Sequence, residues 1–126
     1  MTTLKGSRRD DLGKKGEELA VSHLKSLGYK IVERNFRCRL GEIDIIAYHG
    51  KTLVFVEVRT RKSCQFGSPL SSVAYRKQKK LITLAKFYMK KHRLFDRVAR
   101  FDVVGITLDK TGNASIELVQ NAFEEP

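Results

Sequence analysis

GEIDIIAYHGKTLVFVEVRTR, residues 41–61, decides the fold. Residues 43–48 and 52–58 are rich in β-branched and aromatic side chains, and His49-Gly50-Lys51 supplies a turn between them, so the stretch reads as a β-hairpin. Both arms are apolar on alternate positions and largely apolar between, the pattern of a sheet covered on both faces. Each arm nevertheless carries acids. Alternation places Glu42 and Asp44 on one face of the first arm, and Glu57 and Arg59 on one face of the second. A buried carboxylate without a partner is costly or takes up a proton. Two or three of them on adjacent strands, beside a cation, make a metal site. The competing reading is a solvated Glu57–Arg59 pair at a sheet edge with Asp44 at a strand end, and acids on both arms weigh against it.

Working outward, residues 29–37 read as a strand that leads into the hairpin as an antiparallel meander. Before it, a helix capped by Asp10 or Asp11 runs to Leu27 and stops at Gly28. Its inward stripe is Ala20, Leu24 and Leu27. Glu17 lies three and seven residues before Ala20 and Leu24, on that stripe, whereas Glu18 faces solvent. Glu17 is thus a third inward acid, with a dipole-favoured carboxylate of an early helical turn as its plainer reading.

After the hairpin, residues 63–72 read as a loop, and Ser71 or Ser72 caps a second helix that reaches about Lys91. Ala74, Leu81, Ala85 and Tyr88 form its inward stripe, with Gln78 in the middle and Arg76, Lys79 and Lys80 outside. Residues 100–107 give a fourth strand, parallel to the third because a helix separates them. Residues 110–113 turn into a short edge strand at 114–119. The order α-β-β-β-α-β-β predicts an α/β fold, a mixed sheet flanked by helices, in one domain spanning 1–126. Residues 1–9 are expected to be mobile and 121–126 to be a loose acidic tail.

Charge is the loudest global feature. The chain of 126 residues carries a net +11, and residues 1–100 hold 24 bases against 9 acids. Clusters such as Arg34/Arg37/Arg39, Arg59/Arg61/Lys62 and Arg76/Lys77/Lys79/Lys80 carry one sign only, unlike ordinary solubility charge. They predict a phosphate-bearing partner. Cys38 and Cys64 have no ligand-like spacing, so neither a disulfide framework nor a zinc site is expected, and a cytoplasmic compartment fits. No apolar run approaches the roughly 20 residues of a membrane span, and no membrane partner is expected.

These residues form a pattern. GKKGEELA (13–20), GYKIVERNFR (28–37), GEIDIIA (41–47), LVFVEVRTR (53–61), FGSP (66–69) and RFDVV (100–104) resemble the YraN-like family of small uncharacterised proteins. That family resembles archaeal Holliday-junction resolvases within the PD-(D/E)XK nuclease superfamily. The resemblance implies a restriction-endonuclease-like fold, and a nuclease site of Glu17, Asp44, Glu57 and Arg59 with Gln78 as a helix-borne accessory. It implies Mg²⁺ or Mn²⁺ held by Asp44 and Glu57, with Glu17 direct or through water. Nucleic acid, most of all DNA, is the expected partner, docking on Arg37, Arg39, Arg61, Lys62, Arg76, Lys77, Lys79 and Lys80. A homodimer is compatible with the sequence.

The superfamily pattern has Lys where this chain has Arg59. Arginine stays protonated and cannot act as a base, although it can clamp a phosphate. Three readings stay open: a metal-dependent endonuclease, a nucleic-acid-binding module without useful catalysis, and, more remotely, an interaction domain for an acidic protein. Asp102 is a secondary candidate, better read as the partner of a nearby arginine. His23, His49 and His92 form no ligand pattern.

Overall fold

Among the described residues, five strands line up side by side in their order along the chain, and one neighbouring pair is parallel. The computed structural model describes the backbone of residues 4–62 and 70–125, and the side chains of 12–62 and 70–125. Its elements are α1 (Leu4–Ser26), β1 (Tyr29–Cys38), β2 (Gly41–His49), β3 (Thr52–Lys62), a 3-10 turn (Leu70–Ser72), α2 (Tyr75–Lys91), β4 (Ala99–Leu108) and β5 (Ala114–Phe123). The order β1-β2-β3-β4-β5 is antiparallel except for β3–β4, where the chain crosses through α2. Cys64 and the FGSP stretch lie outside the described residues.

The sheet is covered on both faces, as the hairpin's apolar pattern requires. On one face α1 packs Ala20, Val21 and Leu24 against Ile45, Ala47, Val54, Val56, Val104 and Ile106. On the other, α2 packs Leu81, Ile82, Leu84, Ala85 and Tyr88 against Phe36, Ile43, Ile46, Leu53 and Phe55.

Several boundaries differ from expectation. The first helix starts at Leu4, because Leu4, Lys5, Arg8 and Arg9 favour helix, and Asp10 and Asp11 lie inside it rather than at a cap. Leu27 is exposed; Val21 takes its place on the stripe, while Gly28, at φ +91°, ends the helix as expected. Neither Ser71 nor Ser72 caps α2: the 3-10 turn and buried Val73 fix the approach, and Ala74, extended and exposed, is the N-cap. Residues 121–123, expected in the loose tail, extend β5, because Phe123 is buried and stacks on Phe101 with ring centroids 4.8 Å apart.

Asp102 is structural. Its buried carboxylate accepts from Tyr29 Oη at 2.6 Å, from Arg100 Nε and Nη2 at 2.8 and 2.9 Å, and from the Asn121 backbone N–H at 3.0 Å. Paired and fully bonded in this way, a buried charge is tolerated. His49 belongs to the same cluster: it stacks on Tyr29 and sets Nδ1 3.1 Å from Arg100 Nη2.

Two glycines of α1 give opposite predictions. A Cβ on Gly16 would lie 2.0 Å from Thr60 Oγ1 and 3.1 Å from Thr60 Cβ, so the helix rides on β3 with no space between. Gly16→Ala should cost about 1–3 kcal/mol. Gly13 has nothing within 4 Å of such a Cβ, and Gly13→Ala should gain about 0.5–1 kcal/mol from helix propensity. Urea midpoints at constant slope read both changes, and a Gly16→Ala protein as stable as wild type would refute the close approach.

Candidate active site

The ladder between β2 and β3 ends at the Ile45–Val56 pair. Beyond it β2 stays bonded to β1 as far as Gly41, and β3 to β4 as far as Lys62. The two central strands therefore part into a fork. Continuing the register would set Asp44 opposite Glu57, and both acids stand at the mouth of that fork. The Val58 N–H, which the ladder no longer uses, donates to Asp44 Oδ2 at 2.8 Å.

A kink in β1 decides which way Asp44 turns. Asn35 lies in the left-handed region at φ +53°, and its position opposite Asp44 is missing from the β1–β2 ladder. Regular alternation would put odd residues of β2 on one face. Instead Ile45 and Ala47 pack under α1 while Ile43 packs under α2. The break moves Asp44 onto the α1 side, where it lines a 440 Å³ cleft with Gly13, Lys14, Glu17, Asn35, Arg37 and Val58. The expectation that Glu42 and Asp44 share an unbroken strand face is corrected to this extent, and Glu42 instead pairs with exposed Arg37 at 3.2 Å.

Glu57 keeps its alternation with Leu53 and Phe55 and faces α2. Only 6 % of its side chain is exposed, and two cations flank it: Arg59 Nη1 at 3.4 Å and Lys77 Nζ at 3.9 Å. Arg59 also donates from Nε to Ser72 Oγ at 3.2 Å, so the turn before α2 braces the guanidinium. Burial, above all, and the charge and hydrogen bonding of Glu57 push the Asp44 carboxyl from near 3.8 up to about 7, against the Val58 N–H that lowers it.

Glu17 reaches the same cleft from α1 but is held by other groups. Its Oε1 accepts from Arg34 Nη2 at 3.0 Å and from Asn35 Nδ2 at 2.8 Å. Arg34 also binds exposed Glu18 at 2.8 Å and draws that carboxyl below its ordinary range. Among the described residues, no three His, Cys, Asp or Glu side chains are grouped closely enough to hold a metal ion by themselves. The Asp44–Glu57 pair fits a hard divalent cation: two carboxylates share a partly buried space, and one is pushed toward its neutral form by burial and by the charge of the other.

Gln78 is half-buried, and its amide donates to the Val73 carbonyl at 3.0 Å, holding the start of α2. Lys77, which the sequence assigned only to the DNA-docking bases, is turned by the structure toward Glu57. The signal was present: Lys77 precedes Leu81, Leu84 and Tyr88 by four, seven and eleven, the spacing of the buried stripe. The remaining bases stay outside. Arg37, Arg39, Lys62, Arg76, Lys79 and Lys80 are exposed, and half-buried Arg61 donates from Nε to Thr107 Oγ1 at 3.3 Å. Lys80 lies across the β1–β2 turn: a Cβ on Gly41, at φ +140°, would sit 3.1 Å from Lys80 Cε. That contact joins the basic row of α2 to Arg37 and Arg39.

The model of the uncharacterised protein family UPF0102 matches residues 16–106, a span containing Glu17, Asp44, Glu57, Arg59, Lys77 and Gln78. This chain belongs to UPF0102. Similar members include a Geobacter metallireducens protein, 51 % identical over 90 % of this chain and 92 % of its own length. A Syntrophus aciditrophicus protein is 47 % identical over 89 % and 87 %, and one from Caldicellulosiruptor saccharolyticus 46 % over 90 % and 97 %. Each carries the family designation alone. Among the described residues, no helix is long and apolar enough to cross a membrane.

Proposed function

We propose that this protein is a metal-dependent endonuclease acting on DNA phosphodiester bonds, branched or junction DNA included. The carrying observation is the pair of carboxylates at the fork, Asp44 and Glu57, with Arg59 and Lys77 beside them on a chain of net charge +11. Asp44 and Glu57 would hold the ion and Glu17 would reach it through water. When bound, Mg²⁺ or Mn²⁺ would lower the pKa of a coordinated water and polarise a phosphodiester oxygen. The chain's own part is charge and position. Arg59, braced on Ser72, offers a fixed donor to the phosphate, and charge developing there is stabilised by groups that need not reorganise. Lys77 offers a second cation from the opposite wall. The basic row from Arg37 to Lys80 neutralises flanking phosphates.

One observation favours a second reading, a nucleic-acid-binding module without cleavage: Glu17 is committed to Arg34 and Asn35. One experiment separates the two. The protein is incubated with supercoiled plasmid, single-stranded DNA and a four-way junction, each with Mg²⁺, Mn²⁺ or EDTA. Cleavage confined to the divalent-ion arms is the expected result, and retarded but intact DNA in every arm selects the binding module. Affinity should also fall steeply with salt, with a log–log slope equivalent to several released counterions. Binding that is flat between low and physiological salt would remove the basic face as the docking surface.

A further inference from the structure

The first turns of α2 carry an aromatic ring that the proposed cleavage chemistry leaves unused. Tyr75, the first residue of α2, is 64 % exposed. Lys79 follows one turn later and holds Nζ 5.5 Å from the ring centroid, so the ring is oriented by a cation rather than by the core. Arg76, Lys79 and Lys80 are exposed around it, and the helix from Tyr75 to Lys91 contains no acid. Lys77, two residues on, turns the other way and reaches Glu57. The ring and the candidate site therefore lie on opposite sides of one helix about 10 Å thick.

Charge on this face selects a polyanion. A flat ring set among cations selects one whose anionic backbone also presents flat, uncharged faces. A continuous duplex keeps its bases stacked inside and offers only phosphate to such a surface, whereas an unpaired base is free to lie on the ring. We propose that Tyr75 is a stacking platform for an unpaired nucleobase. The preferred substrate then has a single-stranded segment beside the strand positioned at the fork. This rests on the nucleic-acid reading above and deepens it, because it names the substrate class and a residue that selects it.

The test compares fluorescence anisotropy of three labelled 20-nucleotide probes in EDTA at physiological salt: oligo(dT), a matched duplex, and an abasic strand of the same phosphate count. Wild type should bind oligo(dT) about tenfold more tightly than the abasic strand. Tyr75→Ala should lose that advantage, weakening oligo(dT) about tenfold while changing duplex and abasic binding less than twofold. Tyr75→Phe should keep it, since stacking uses the ring and not the hydroxyl. The side chain is largely solvated, so melting temperatures of all three proteins should agree. Equal losses on every probe, no loss on any, or loss in Tyr75→Phe as great as in Tyr75→Ala overturns the platform while leaving nucleic-acid binding intact. A wild type that binds none of the probes overturns the underlying reading and the platform with it.

Discussion

Asp44→Asn is expected to abolish divalent-ion-dependent cleavage, by about a thousandfold, while making the metal-free protein more stable at neutral pH. The first effect follows from losing one of the two carboxylates proposed to hold the ion, at several kcal/mol of barrier and about 1.4 kcal/mol per tenfold. The second follows from the proton balance. Burial and Glu57 raise the folded-state pKa of Asp44 from about 3.8 to about 7. Between those values the folded chain retains a proton that the unfolded chain has released. Stability therefore declines as pH rises through this window and levels above it. Asparagine still accepts the Val58 N–H and stays neutral throughout, so the variant should lack this decline and be more stable than wild type at pH 8. A divalent cation competes with that proton, so Mg²⁺ or Mn²⁺ should raise the wild-type melting temperature far more at pH 8 than at pH 5, and the variant's hardly at all. Parallel pH profiles with equal ion-induced shifts in both proteins would remove Asp44 from the site.

The candidate site was partly visible in the sequence, and the visible part has a physical reason. Strand periodicity and two-sided apolarity set the hairpin, and acids inside it stood out because burial penalises them. Asp44, Glu57 and Arg59 were therefore legible one by one. What alternation does not encode is the kink at Asn35, which needs a left-handed residue where the pattern reads as unbroken strand, and which swings Asp44 toward α1. The fork is equally invisible, since each strand continues to pair on its other edge past the point where the central ladder ends. Lys77 was read only as a docking base because a lysine in a basic run reads as solvated, although its spacing matched the buried stripe. A long aliphatic stem lets such a residue join the stripe and still deliver its charge to a buried acid.

That delivery makes Arg59 and Lys77 a pair to be tested together. Each single alanine variant leaves Glu57 one cation, so each should lower stability by about 1 kcal/mol. The double variant leaves a carboxylate that is 6 % exposed in the wild type without a cation, and it should lose more than the sum of the two, approaching 3–5 kcal/mol. Glu57→Gln should erase this excess, because no buried charge then remains to be stranded. Catalysis should follow a different rule. Arg59→Ala should lose on the order of a hundredfold, as expected for removing one preorganised donor from a transition state, and Lys77→Ala a comparable amount. Arg59→Lys keeps a cation within reach and should stay within about tenfold, or roughly 1.4 kcal/mol of barrier. It also places at the strand position a group able to release a proton, which arginine there does not. Rates measured beside melting temperatures separate the two roles. If both alanine variants melt early yet cleave at the wild-type rate, the cations serve only to neutralise Glu57, and the phosphate must be held by the exposed row from Arg37 to Lys80.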